Sequence, residues 1–257
     1  RPRSTPPLHS EDLVGHALTP RDAPTVFDAL RKRKAVETST ELATGAPVTV
    51  DARPILDAAG NVEGLLSIET GLIQLERHRH RHASFRMAVD WLKVMAANGE
   101  LASTAGMSPF QEMDGVLLAN AELRITYLSG IASNLYRRLG YMEDLRGRHL
   151  NYLHTGDDVL AITVMQTRQA IEQEDRIGES EWVRKAIPLW APTTLRGRID
   201  RIRAIHTPGD VGMVLILAHD ATDERRKRAE LEVKSTMIQE VHHRVKNNLQ
   251  NVAAVLR

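Results

Sequence analysis

Residues 114–129 carry the sequence DGVLLANAELRITYLS, in which two strand-like runs flank a turn at residues 120–122. Apolar and β-branched runs bounded by Asn, Asp and Gly are typical of a β-hairpin. This hairpin predicts that an α+β unit begins near Asp114.

The rest of this unit follows the hairpin. Short helical stretches run to Leu160, and a longer helix is predicted over residues 158–173. Further strands are predicted at residues 180–190, 195–206 and 211–218, the last two joined by a turn at 207–210. Five strands, with helices between the second and the third, indicate a small α+β sensor domain.

The first 70 or so residues predict a second, smaller set of elements. Residues 25–34 have helical character, and residues 48–56 and 62–68 are strand-like around a turn at 57–61. One hairpin and one helix cannot close a hydrophobic core by themselves. We therefore expect the back part of an α+β domain whose front lies outside this chain.

A long helix is predicted between the two units, over residues 72–98. Phe85, Val89, Leu92 and Met95 recur at helical spacing, and Gly99 is suited to the C-terminal cap. Such a helix suits a connector, and residues 100–110 predict a linker.

Composition excludes several chemistries. The 257 residues contain no cysteine, which excludes disulfides, thiolate zinc sites and cysteine nucleophiles. The net charge of +1 gives no bulk reason to expect binding to nucleic acid or membrane. The longest apolar run, residues 211–218, is shorter than the ~20 residues of a spanning helix, and no signal peptide opens the chain. The expected location is cytoplasmic.

The last 35 residues, 223–257, contain no Gly or Pro and predict one continuous helix. On a helical wheel one stripe is apolar and predicts a coiled-coil or bundle seam. The stripe consists of Ile238, Val241, Val245, Leu249, Val252 and Leu256.

Two histidines lie on this helix in different positions. His242 falls about 50° from the centre of the seam, whereas His243 lies roughly 150° away from it, on the face expected to be exposed to solvent. Asn247 is one turn further along that face, and Glu240 about one turn before.

A phospho-accepting imidazole must expose an unprotonated nitrogen to ATP while a neighbour fixes its tautomer. That requirement favours His243, with Glu240 to orient its ring and Arg244 and Lys246 to meet phosphate charge. The alternative is an ordinary coiled-coil helix whose solvent-exposed face is polar without having a catalytic role. Periodicity alone does not distinguish this helix from a phosphoacceptor helix.

The full string VHHRVKNNLQNVAAVLR closely resembles the H-box of the HWE-like histidine kinases, and within them the cytosolic sensor kinases of the PdtaS and EutW type. The resemblance implies that His243 is the autophosphorylation site and that Asn247 assists phosphoryl transfer or dephosphorylation. Arg244 stands where the larger histidine-kinase group has an acid, so the orienting role of Glu240 rests on the helical wheel alone.

The segment before this helix carries a second resemblance. Asp220-Ala-Thr222 follows the last strand and resembles the D-x-T junction that ends PAS domains. Asp220 or Thr222 can cap the first turn, and the junction is expected to transmit a shift from sheet to helix. Other PAS-like features are Asp114-Gly115, residues 147–150, Leu153-His154 and Asp157-Asp158.

Histidines elsewhere raise weaker alternatives. His149 and His154 could suggest haem or metal, but in the PAS pattern they occupy an ordinary helix-turn stretch. His78 and His82 could share a metal at i, i+4 of a helix, although the interleaved arginines favour a solvated basic helix start. A contact of this stretch with an anionic ligand or lipid is left open.

The resemblance implies an α+β architecture of four parts. They are a partial GAF-like domain at 1–76, a connecting helix and linker at 77–107, a PAS domain at 108–222, and a signalling helix with the start of the dimerisation and phosphotransfer domain at 223–257.

The implied function is the sensory and phosphoacceptor portion of a two-component histidine kinase. The resemblance implies a homodimer, an unknown small-molecule signal, and a response regulator, often of the RNA-binding antiterminator type. ATP and Mg²⁺ belong to an ATP-binding domain absent from these residues, so no cofactor and no self-phosphorylation are expected in this chain. One alternative is a non-catalytic ligand-binding or dimerisation module. The other is a phosphotransfer protein that is phosphorylated by another kinase.

Overall fold

The computed structural model describes residues 14–41, 45, 47–57, 59–71, 82–190, 211–227, 230–232, 234 and 237. These residues form two antiparallel sheets with flanking helices, which confirms the predicted α+β class. Within this part of the chain, no helix has the length and apolar character needed to cross a bilayer.

Four α-helices and eight strands are fully described. They are α1 (Pro24–Lys32), β1 (Val36–Glu41), β2 (Pro47–Leu56), β3 (Val62–Gly71), α2 (Ala83–Ala97), β4 (Gly115–Asn120), β5 (Ile125–Leu128), α3 (Gly130–Arg138), α4 (Asp157–Thr167), β6 (Ile171–Ile177), β7 (Ser180–Trp190) and β8 (Val211–Asp220). Two 3₁₀ turns occur at Ala102–Thr104 and Leu150–Leu153.

The first sheet has the order β1-β2-β3 and carries α1 on one face. The β2–β3 hairpin confirms the predicted one, and Ala29 of α1 packs fully buried beside it. Strand β1, VETSTE, was not predicted, because its polar residues lack an apolar alternation. It forms because β2 supplies backbone partners along its whole length.

Helix α2 connects the two sheets. His82 adopts an extended backbone and its side chain accepts from the Ser84 amide at 3.3 Å, so the helix begins at Ala83. The prediction of one helix over 72–98 is therefore wrong at His82; residues 72–81 lie outside the described residues. The predicted end is confirmed, with Gly99 in the left-handed region at φ 71°.

The second sheet has the order β5-β4-β8-β7-β6, with every neighbour antiparallel. The predicted strands at 180–190 and 211–218 are confirmed, and the one predicted at 195–206 lies outside the described residues. The predicted helix at 158–173 is wrong at its end, because α4 stops at Thr167 and β6 begins at Ile171. The sequence IEQEDRI is polar enough to suit a helix, but pairing with β7 makes it a strand.

Both faces of the second sheet are covered. On one face α3 approaches so closely that a Cβ on Gly115 would lie 2.7 Å from Ala132 Cα. Beneath it Tyr136 meets Trp182 edge to face, with ring centroids 5.5 Å apart. The opposite face is covered by α2 and the segment after it, whose Pro109 carbonyl accepts from buried Lys185 at 2.8 Å.

Candidate functional site

The predicted site residues divide into two groups. Asp220 and Thr222 lie at the end of β8, where residues 222–227 begin the outgoing helix. The predicted phosphotransfer residues all lie outside the described residues. They are Glu240, His243, Arg244 and Asn247, together with the alternative His242.

Hydrogen bonds tie the start of the outgoing helix to β7. Asp220 Oδ1 accepts from the Thr222 amide at 3.1 Å and from the Thr222 hydroxyl at 2.5 Å. The Thr222 hydroxyl oxygen in turn accepts from the Glu181 amide at 2.9 Å, and Ala221 N donates to Glu181 O at 2.8 Å. Asp220 therefore caps the first turn, as predicted for one of the two residues, while Thr222 joins that turn to the neighbouring strand.

Ion pairs hold the same junction from two sides. Arg138 at the end of α3 donates to Asp220 Oδ2 at 3.0 Å. Arg225 pairs with Glu174 on β6 and lies 3.9 Å from Glu181. The first turn of the outgoing helix is thus attached to the end of α3 and to the β6–β7 hairpin.

Sequence reasoning did not predict the contacts that Arg138, Glu174, Glu181 and Arg225 make at this junction. Arg138 precedes Asp220 by 82 positions, and no local pattern marks a partner at that separation. The start of the outgoing helix could be predicted from the sequence because capping acts over two to three residues.

A cleft of about 440 Å³ opens between α4 and the β6–β7 hairpin of the same unit. Both α4 and β6 contribute apolar side chains to its walls, and the charged side chains come from the β6–β7 hairpin. The walls include Val159, Leu160, Ile171, Asp175, Arg176 and Arg184. A concave, mainly apolar site with a few polar groups is the usual form of a small-molecule site.

Buried charges lie at the base of this cleft. Arg184 donates to Asp157 Oδ1 and to the Thr155 carbonyl, both at 2.8 Å, and pairs with Asp175. Burial alone would lower the pKa of Arg184, but the charge of Asp157 and the bond to Asp175 raise it. The guanidinium therefore stays charged, and Asp157 and Asp175 compensate it.

Tyr136 completes this network. Its hydroxyl donates to Asp157 Oδ2 at 2.7 Å, and burial, reinforced by Asp157, raises its pKa well above the ordinary value. The sequence analysis noted Asp157 only as a PAS-like feature. Its side-chain partners include Tyr136 on α3 and Arg184 on β7, which are 21 and 27 positions away in the chain. The network fixes α3, α4 and the β6–β7 hairpin around the cleft.

The histidines singled out from the sequence have structural positions. The His149 ring accepts from the Asn151 amide at 3.2 Å and caps the following 3₁₀ turn, while His154 is exposed. His82 lies just before α2 and caps it, and its suggested metal-binding partner His78 lies outside the described residues. No cluster of three His, Cys, Asp or Glu side chains in the described ranges could hold a metal ion.

The order of the second sheet, the helices on one of its faces and the D-x-T junction give this unit a PAS-like fold. A GAF-like portion precedes it: residues 1–88 match the family described as "Histidine kinase PdtaS, GAF domain". The chain thus combines an α+β unit that follows a GAF-family match with a PAS-like α+β unit.

Curated relatives agree with this class. The chain is 25% identical to the sensor histidine kinase PdtaS of Mycolicibacterium smegmatis over 276 residues, covering 100% of this chain and 52% of that protein. It is 24% identical over 270 residues to PdtaS of Mycobacterium tuberculosis, with the same coverage. The chain therefore spans about half the length of these relatives. The GAF-domain match and the relatives support a PdtaS-type sensor histidine kinase sensor region, as the resemblance implied.

A solved structure supports the fold. The chain is 16% identical to the "Sensor region of a sensor histidine kinase", with a TM-score of 0.50, covering 83% of this chain and 97% of that one. At that identity the likeness concerns the arrangement of elements alone.

Proposed function

We propose that this chain is the sensory and phosphoacceptor portion of a cytoplasmic two-component histidine kinase. The GAF-domain match, the PdtaS relatives and the HHRVKNN string support this function. The division into four parts, at 1–76, 77–107, 108–222 and 223–257, remains part of this proposal.

The observation that carries the proposal is the continuity from sheet to helix. Strand β8 ends at Asp220, and residues 222–227 begin a helix that leads along the chain toward His243. Because Thr222 is bonded to Glu181 on β7, a shift of the β6–β7 hairpin would act directly on the first turn of that helix.

The proposed chemistry takes place on His243. One imidazole nitrogen attacks the γ-phosphorus of ATP, the bond to the β-phosphate oxygen breaks, and ADP leaves. Glu240 orients the ring, Arg244 meets phosphate charge, and Asn247 assists transfer or dephosphorylation. ATP and Mg²⁺ are bound by an ATP-binding domain outside these 257 residues.

The proposed partners follow from that role. A second copy of the chain covers the apolar seam of the helix predicted at 223–257, because one amphipathic helix needs partners to bury its stripe. A response regulator, of the RNA-binding antiterminator type, takes the phosphoryl group from His243. The signal is a small molecule of unknown identity.

Trans-phosphorylation tests the proposal. The full chain is mixed with an ATP-binding domain of a PdtaS-type kinase, Mg²⁺ and labelled ATP, and wild type is compared with His243→Gln and His242→Gln. We expect label in the wild type and in His242→Gln, and none in His243→Gln. The chain without the added domain should stay unlabelled.

Two results would contradict the proposal. Loss of label only in His242→Gln would show that the phosphoacceptor is His242, at the flank of the seam. Absence of label in every variant, with the added domain shown to be active on its own substrate, would favour a sensor module without phosphotransfer.

That second candidate, a non-catalytic ligand-binding module, is favoured by one observation, the cleft beside Arg184. Mass spectrometry of small molecules released from the purified chain tests it, with Thr163→Trp to fill the cleft. A ligand that is lost in Thr163→Trp would support binding there. Equal amounts released from both proteins would place the ligand elsewhere.

A further inference from the structure

His219 lies at the end of β8, between the segment that enters the second sheet and the helix that leaves it. Its Nδ1 is 3.5 Å from Oδ1 of Asp114, which directly precedes β4. Its Nε2 is 3.4 Å from Oε1 of Glu224, in the first turn of the outgoing helix. One imidazole ring therefore bridges the entry and the exit of this unit.

The contact is buried but lacks normal hydrogen bonds. Within the described part of the chain, both ring nitrogens of His219 and Oδ1 of Asp114 are buried polar atoms without a hydrogen-bond partner. The other oxygen of Asp114 accepts from the Gln111 amide at 3.0 Å, which fixes the carboxylate. The free oxygen is left facing His219.

A neutral imidazole cannot satisfy this site. It carries one N–H donor and one lone pair, whereas the ionised carboxylates on its two sides are acceptors only. One nitrogen must then direct its lone pair at a carboxylate oxygen. An imidazolium has two N–H donors and can bond to Asp114 and Glu224 at the same time.

Acidic groups predominate around the His219 ring. Asp114 and Glu224 face the ring, and Lys185 on β7 lies 3.9 Å from Asp114 Oδ2. With His219 neutral these groups sum to one negative charge, which one proton cancels. The His219 side chain is 13% exposed, whereas the Glu224 side chain is 59% exposed.

Charged groups on adjacent elements already have other partners. Asp220 is paired with Arg138, and Arg225 is paired with Glu174. Lys185 is also held by the Pro109 carbonyl at 2.8 Å. The proton on His219 therefore acts chiefly on the contacts to Asp114 and Glu224.

We propose that protonation of His219 fastens the first turn of the outgoing helix to the segment that enters the second sheet, so that the helix is held more firmly as pH falls. The device is a proton-sensitive contact at the junction. It goes beyond the proposed phosphotransfer function and does not depend on it.

Hydrogen exchange of the full chain tests this proposal. Protection of the amides at 222–227 is compared at about pH 8 and about pH 5.5, values that bracket the usual titration of histidine. Rates are corrected for the intrinsic pH dependence of exchange and referred to amides of β4. We expect protection in the wild type to increase about two- to fivefold on acidification, as for a partly exposed ion pair.

Three variants separate the proposal from a general effect of pH. His219→Gln should remove the increase, and Glu224→Gln, a change at an exposed position, should reduce it without affecting the fold. His16→Gln, at an exposed histidine far along the chain, should leave it unchanged. A full increase that persists in Glu224→Gln, or in a folded His219→Gln, would overturn the proposal.

Discussion

Nη1 of Arg184 donates to Oδ1 of Asp157 at 2.8 Å, in a site where the two side chains are 3% and 0% exposed. The pair joins β7 to the first turn of α4 beneath the cleft. Removal of one member of such a pair leaves the other charge buried without compensation.

We therefore expect Arg184→Met to destabilise the chain by about 3 kcal/mol, measured by urea denaturation. Arg226→Met, at an exposed i, i+4 pair with Glu230, is the matched control and should change stability by less than about 0.5 kcal/mol. The double variant Arg184→Met/Asp157→Asn should be less destabilised than the two single changes predict together. Strict additivity would mean that the two side chains contribute independently.

The hydroxyl of Thr222 gives a second prediction. Thr222→Val keeps the shape of the side chain but removes the acceptor for the Glu181 amide, at a cost of about 1 kcal/mol. Exchange of that amide should accelerate about fivefold when followed by NMR. Thr222→Ser keeps the hydroxyl and should protect the amide nearly as well as the wild type; equal acceleration in both variants would assign the effect to packing.

Tyr136 gives a prediction for alkaline pH. Burial raises its pKa in the folded chain, so as pH rises above about 10 the unfolded chain loses this proton first and stability falls. At about pH 11 the loss due to this group amounts to about 1.4 kcal/mol relative to pH 9. Tyr136→Phe should therefore lose less stability over this interval in urea titrations than the wild type.

Tyr127→Phe is the control for general alkaline effects, since the Tyr127 ring packs against Phe85 at 5.1 Å, away from this network. It should follow the wild type. The prediction is wrong if Tyr136→Phe and Tyr127→Phe show the same dependence on pH.

The contact between β4 and α3 gives a fourth prediction. A Cβ at Gly115 would lie 2.7 Å from Ala132 Cα, and a helix backbone cannot yield as a flexible side chain can. Gly115→Ala should cost about 1–3 kcal/mol through displacement of α3. At Gly106 an added Cβ would have no atom within 4 Å, so Gly106→Ala should leave the thermal midpoint nearly unchanged. Similar losses in both variants would contradict a steric cause.

The elements that the sequence predicted well are those that local patterns specify. Both hairpins, the end of α2 at Gly99 and the cap of the outgoing helix depend on residues a few positions apart. Turn chemistry and capping act over that range, so they are visible without a structure. The resemblance at residues 236–257 is also read from one continuous string, and what it implies stays a prediction.

The elements that it missed depend on distant partners. Strand β6 has a composition suited to a helix, and only its pairing with β7 makes it a strand. His82 ends the extended chain instead of continuing a helix, because its side chain caps the turn that follows.

The sequence by itself determined the α+β class of the chain and the positions of its hairpins, and it is the only basis for proposing His243 as the phosphorylated residue. Only the tertiary structure decided that Arg184 is compensated by Asp157 and Asp175, and that His219 lies between Asp114 and Glu224. The physical reason is that a buried charge requires partners wherever the fold brings them, and no spacing along the chain encodes those positions.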